Sequence, residues 1–246
     1  MVGENVQEKI EILSIPVCNV DMEEASRYLL SRMDGEEPTI VATANAEMIM
    51  QAQRDAELAG ILRRADLVIP DGAGVLWAAE QQGLKFKERV AGCDLCKELL
   101  SAATEKSFPV YFLGGEEGIA KQAIENWEKE NGSLQVAGVH SGFFDEEEER
   151  RIIAEIQETK PKLLLAALGV PKQEKWISRH IGELGACVCI GVGGSLDVLA
   201  GKVDRAPKWM QRNRLEWLYR LLRQPSRIGR MMALPAFVMK VRANKR

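Results

Sequence analysis

Residues 67–77 read LVIPDGAGVLW, an apolar run that ends at Pro70 and hands a single carboxylate, Asp71, to a turn containing Gly72 and Gly74. Three chemistries are open to such a group: general base, metal ligand, or N-cap of the next helix. The cap is the commonest use of an Asp in this position. A magnesium ion that holds a diphosphate draws on more than one anionic ligand, and no D-x-D pair occurs in the chain. His140 and His180 are the only histidines; His180 falls in a helical stretch and His140 near a strand end, where structural roles are commoner. A Ser-His-Asp mechanism therefore has little to draw on, and carboxylates remain as candidate bases, with Asp71 the best placed.

Other polar groups recur where apolar runs end. Thr43 and Asn45 close IVATAN, Arg89 stands in KERVAGCD, and Gln173 in GVPKQE. Arg89 can form bidentate bonds to a phosphate or carboxylate, or a plain surface ion pair. Gln173 can bind a sugar hydroxyl or cap a helix. Gly191, Gly193 and Gly194 of GVGG can bring backbone N–H groups against a phosphate, or only form a tight turn. That loop matches neither G-x-G-x-x-G, because Leu196 occupies the last glycine position, nor the G-x-x-x-x-G-K-[ST] phosphate loop. Cys93 and Cys96 form one C-x-x-C with no second pair, so zinc lacks a ligand set.

These groups need a scaffold, and the first 200 residues alternate strand-like with helix-like stretches. IEILSIPV (10–17), TIVATA (39–44), DLVIP (66–70), PVYFLGG (109–115), KLLLAALG (162–169) and ACVCIGVGG (186–194) read as strands, each followed by a helical pattern. Short continuous apolar runs suit strands covered on both faces, so the fold class is α/β, a Rossmann-like, doubly wound, mostly parallel sheet. Asp21 and Glu24 have capping-box spacing ahead of the first helix. Ligands of such sheets bind beyond the carboxyl ends of the strands, where TANAE, PDGAG, LGG, GVPKQE and GVGGSLD all gather.

The β/α rhythm stops at Gly201, dividing the chain into an α/β part over 1–200 and a basic appendage over 201–246. The net charge of −3 hides this split: from Gly201 onward thirteen Lys and Arg face only Asp204 and Glu216. Such a tail expects an anionic surface. Leu215, Leu218, Tyr219 and Leu222 share one helical face, with Arg212, Glu216, Arg220 and Arg223 toward the other. Pro225 interrupts the helix, and Arg227 and Arg230 then stand three apart. With Trp209, Trp217, Met231 and Met232, the pattern fits a helix lying in an anionic membrane interface. A helix docked on the α/β core needs the same apolar stripe, but not nine arginines. Five cysteines, no basic-apolar leader and no apolar run of spanning length predict a reducing cytosol and no membrane crossing.

Taken in order, TANAEM, PDGAGVLW, RVAGCDL, FLGG, GVPKQEKWI, GVGGSLDVLAGKVDRAP and the Arg-rich end resemble the TagA/WecG/CpsF family of bacterial glycosyltransferases, nearest its TagA branch. The resemblance runs from about Ile10 to the end. It implies inverting transfer of N-acetylmannosamine from a UDP-sugar donor to undecaprenyl-diphosphate-linked N-acetylglucosamine, making the β-1,4 bond of a wall teichoic acid linkage unit. It further implies a peripheral enzyme at the cytoplasmic face of the bacterial membrane, engaging that surface through 205–246, with no cofactor and no metal. Carried over position by position, Asp71 is the base, and Thr43, Asn45, Arg89 and Gln173 are polar active-site groups. Arg220, Arg227 and Arg230 close over the diphosphates, and Asp197 meets the ribose. Two other readings stand beside this one: a related transferase with another donor such as UDP-N-acetylmannosaminuronic acid, and a protein whose tail grips RNA. The RNA reading explains only the tail, so nucleic acid is not an expected partner. Exposed apolar tail surface would favour a homo-oligomer away from membranes.

Overall fold

The computed structural model describes residues 8–213, 215–223, 229 and 232–244, with the side chains of Arg212 and Arg220 outside that description. Strands β1 (Lys9–Ile12) and β2 (Ile15–Cys18) form a small antiparallel hairpin. Strands β3 (Thr39–Ala44), β4 (Leu67–Pro70), β5 (Val110–Gly114), β6 (Val136–His140), β7 (Leu163–Ala167) and β8 (Val188–Gly191) form one sheet in the order β4-β3-β8-β7-β5-β6. Every neighbouring pair in it is parallel, as the apolar runs predict. Side chains alternate between the faces: Val41, Ile69, Phe112, Leu165 and Ile190 point to one core, Ala42, Val68, Leu164 and Cys189 to the other side.

Helices α1 (Met22–Asp34), α5 (Gly92–Lys106), α6 (Ile119–Asn131) and α9 (Ser195–Leu199) cover the first face. The opposite face carries α2 (Ala46–Ala52), α3 (Ala56–Arg64), α4 (Ala73–Gln81), α7 (Glu146–Thr159) and α8 (Lys172–Leu184). Helix α1 begins with the capping box expected from its spacing. Asp21 Oδ1 accepts from the Glu24 N–H at 2.8 Å, and Glu24 Oε2 accepts from the Asp21 N–H at 3.1 Å.

The start of the chain differs from the single strand predicted over 10–17. Leu13 and Ser14 adopt φ of 49° and 65°, so the run folds back on itself and pairs Ile12 with Ile15. Two successive positive φ values make a two-residue hairpin turn, usually announced by Asn-Gly or Asp-Gly. Neither residue advertises it. Ile10, Ile12, Ile15 and Val17 all reach the core beside β4, so burial of both arms drives the turn.

Among the described residues after Gly201 stand α10 (Lys208–Arg212), α11 (Glu216–Arg223) and α12 (Ala233–Ala243). The last is docked, with Phe237 and Val241 buried against α2 and α4. Second and third from the β4 edge, β3 and β8 are adjacent but hand their chains to opposite faces, through α2 and α9. A crevice must open beyond their carboxyl ends, as it does wherever neighbouring crossovers diverge.

Candidate active site

Asp71 stands at that crevice because the sheet holds its backbone there. Its N–H donates to the Ala44 carbonyl at 2.9 Å, extending the β3–β4 register by one residue. Gly72 follows with φ of 101°, a conformation that excludes a side chain at low cost. Gly72, not Asp71, is the N-cap of α4. Asp71 therefore does not occupy the N-cap position that is the commonest place for an Asp before a helix. Its carboxylate lines the cleft instead.

Thr43 lies beside it, buried at the end of β3, with Oγ1 3.4 Å from the Gly191 carbonyl across the crevice. Gly92, the first residue of α5, closes over both. A Cβ there would sit 2.8 Å from Thr43 Cγ2 and 3.3 Å from Asp71 Oδ2, so this close approach requires glycine. Asn45 is committed in part to structure: its Oδ1 caps α2 by accepting from the Met48 N–H at 2.9 Å.

Gln173 enters from the first turn of α8 and is 1% exposed. Its Oε1 accepts from the Gly169 N–H at 3.1 Å, and its Nε2 donates to Glu174 Oε1 at 2.8 Å. The amide lies flat against β8, where a Cβ on Gly191 would come within 2.4 Å of Nε2. Gly191 therefore makes room for Gln173. Gly193 (φ 46°) and Gly194 form the turn into α9, a helix of only five residues that carries Asp197.

Arg89 reaches the same cleft from the segment before α5. Its Nη2 donates to Glu216 Oε2 at 2.5 Å and stands 3.8 Å from Asp71 Oδ1. Glu216, on α11, is 7% exposed, and the Nε of Arg205 lies 3.7 Å from its other oxygen. Arg205 in turn grips Asp94 through both terminal nitrogens, Nη2 to Oδ2 at 2.7 Å. That bidentate pair holds the Asp94 carboxyl below the usual carboxylate range, with solvent loss working weakly against it. A chain of alternating charge thus runs Asp94, Arg205, Glu216, Arg89, Asp71.

The cleft encloses about 470 Å³, within the range of small-molecule sites. Thr43, Asn45, Asp71, Arg89, Gln173, Gly193, Gly194 and Asp197 all line it, and Gly191 lies directly beneath Gln173. The side chain of Arg220 and all of Arg227 and Arg230 lie outside the described residues. Among the described lining residues Arg89 is the only cation, against the carboxylates of Glu47, Asp71, Asp197 and Glu216. Among the described residues no group of three His, Cys, Asp or Glu side chains comes together as a metal cage would. In general chemistry a carboxylate lining such a cleft can take a proton and a guanidinium beside it can meet developing negative charge.

Gly92 and Glu174 were not singled out in the sequence, and Glu216 and Trp217 only as tail residues, not as lining of the cleft. Glu216 had a usable signal, being one of only two acids in a tail of thirteen bases. Gly92 and Glu174 adjoin motif residues, but nothing in their spacing separates a close backbone approach from an ordinary helix start.

The model described as the glycosyl transferase WecG/TagA/CpsF family matches residues 10–246 of the chain. A protein of Bacillus subtilis (strain 168) named N-acetylglucosaminyldiphosphoundecaprenol N-acetyl-beta-D-mannosaminyltransferase is 32% identical over 232 residues, covering 94% of this chain and 90% of its own. Proteins of the same name are 33% identical in Bacillus spizizenii, over 87% of this chain and 82% of the relative, and 29% identical in Staphylococcus aureus (strain MW2), over 97% and 94%.

Proposed function

Because the chain belongs to the WecG/TagA/CpsF family of glycosyl transferases, we propose that it moves N-acetylmannosamine from UDP-N-acetylmannosamine to N-acetylglucosaminyl-diphosphoundecaprenol, with inversion, in wall teichoic acid linkage-unit synthesis. The relatives' names support the substrates. The observation that carries the chemistry is the Asp71 carboxylate, one residue before the N-cap of α4 and 3.8 Å from Arg89, in the crevice between diverging crossovers.

In this mechanism Asp71 takes the proton of the acceptor's 4-hydroxyl as that oxygen attacks the anomeric carbon of the donor. The bond from that carbon to the diphosphate breaks, and its electron pair leaves with the β-phosphate oxygen of UDP. Thr43, Asn45 and Gln173 orient the sugars, and Gly191, Gly193 and Gly194 let backbone approach the donor's phosphates. Asp197 meets the ribose. The described lining is rich in carboxylates and holds a single guanidinium, too little charge for two diphosphates. Arg220, Arg227 and Arg230 supply the balance when the appendage closes.

The appendage engages the anionic membrane surface that carries the acceptor. Trp209, Trp217, Leu222 (68% exposed), Met232 and Met239 turn outward. No helix among the described residues is long and apolar enough to cross a membrane. Arg205 pins the appendage at its root and Phe237 at its end, so the segment between them makes the contact. Away from the membrane those apolar residues draw copies of the chain together. A UDP-sugar donor and five free cysteines suit the cytoplasmic face. Transfer to a short-chain lipid-diphosphate-N-acetylglucosamine, compared across UDP-N-acetylmannosamine, its uronic acid and UDP-N-acetylglucosamine, tests the reading. Preference for a donor other than N-acetylmannosamine would overturn the sugar assignment, and no transfer from any of them the reaction itself.

A further inference from the structure

Glu174 is 2% exposed, at the first turn of α8, and belongs to no step described so far. One of its oxygens accepts from Gln173 Nε2 at 2.8 Å; the other, Oε2, is buried with no hydrogen-bond partner. Burying a carboxyl that uses half its acceptor capacity costs stability, which a neutral apolar side chain at the same place would avoid. Burial pushes this carboxyl up to about 7, with the Gln173 bond and then its own backbone N–H pulling the other way. The group is therefore a liability to the fold, and what it contributes beyond its own residue lies in the one side-chain bond it makes, to Gln173.

That bond settles which way the Gln173 amide faces. The Gly169 N–H requires the amide oxygen at one end, and the Glu174 oxygen requires the NH2 group at the other. Flipping the amide would oppose donor to donor and acceptor to acceptor. We propose that Glu174 is a positioning residue that locks Gln173 as a donor-only amide, so that its remaining N–H reads an acceptor oxygen of the substrate, a sugar hydroxyl, acetamido carbonyl or phosphate oxygen. The inference rests on the assignment of Gln173 to substrate binding made above. It extends that assignment from presence in the cleft to polarity: a ligand atom that can only donate is refused at this position.

The test is a double-mutant cycle on the full chain, with thermal unfolding recorded for each variant. Gln173→Ala is expected to lower kcat/KM about 10- to 100-fold. Glu174→Leu, which removes the acceptor without touching the cleft, is expected to fall nearly as far, and the double variant no further than Gln173→Ala alone. Glu174→Gln keeps an acceptor oxygen and is expected to recover most of the loss, which a packing role would not produce. If Glu174→Leu does not fold, Glu174→Ala enters the cycle in its place. A folded Glu174→Leu or Glu174→Ala with wild-type kcat/KM, or losses that multiply with those of Gln173→Ala, would overturn the positioning role while leaving Gln173 in the site. Full activity in Gln173→Ala would instead overturn the assignment of Gln173, and this inference with it.

Discussion

Arg89 donates to Glu216 at 2.5 Å while the same nitrogen stands 3.8 Å from Asp71, so a carboxylate of the appendage, and not the proposed base, holds the guanidinium. On the proposed mechanism the two carboxylates compete with an incoming phosphate for the Arg89 guanidinium. Replacing Glu216 by Gln keeps the shape and removes the charge. We expect UDP to bind roughly three- to tenfold more tightly, with stability lower by about 1–2 kcal/mol from the weakened charged hydrogen bond. Calorimetric titration of UDP and thermal melts measure the two effects. Weaker UDP binding would show that Glu216 aims Arg89 at the phosphate and does not compete with it.

Asp71→Asn tests the base directly. Asparagine preserves size and hydrogen bonding but cannot accept a proton at neutral pH. Positioned bases contribute about 10²–10⁴-fold, so kcat should fall in that range while donor affinity stays within about threefold. Wild-type turnover in the variant would leave Asp71 without a catalytic role.

Gly92→Ala should separate activity from stability. A Cβ placed 2.8 Å from Thr43 Cγ2 must displace Thr43 and crowd Asp71 Oδ2. Alanine at the start of α5 gains helix propensity of up to about 1 kcal/mol, which offsets part of the strain. The expected outcome is a melting temperature within about 3 °C of wild type and kcat lowered at least tenfold. Equal losses of both would mean that Gly92 serves packing alone.

Glu174 gives the fold a pH signature of defined sign. Its folded-state pKa is about 7 against the usual 4.5, because burial disfavours the charged form. Between those values the folded chain binds the extra proton, so stability falls as pH rises through roughly 4.5 to 7 and levels above. The shift corresponds to something on the order of 3 kcal/mol. Glu174→Gln lacks this titration, so its stability relative to wild type should rise by about that much between pH 4.5 and 8 in urea melts. Parallel pH profiles for the two proteins would show that Glu174 does not titrate in this window.

Some of this architecture is written locally. The runs at 39–44, 66–70, 162–169 and 186–194 are legible as strands because a parallel sheet buried on both faces needs unbroken apolar sequence. Asp21 and Glu24 announce their helix by a spacing of three. The hairpin at Leu13–Ser14 is not legible, since its turn uses residues that rarely take positive φ and is imposed by the burial of Ile12 and Ile15. Truncating the basic tail is also a poorer experiment than its composition suggests, because Phe237 and Val241 are core residues.

For the site, the sequence by itself determined the residue types, their glycine-flanked turns and their order along the chain, since those depend on neighbours a few positions away. It left Asp71 divided between cap and base. Only the tertiary structure gives the N-cap position to Gly72 instead, by starting α4 there, and brings Arg89 to 3.8 Å from Asp71. The same holds for Thr43 against Gly191, 148 residues apart, and for Arg89 against Glu216, 127 apart. Such contacts follow from which strands are neighbours and which face each crossover takes. Strand order is a property of the whole folded chain, and no local spacing encodes it.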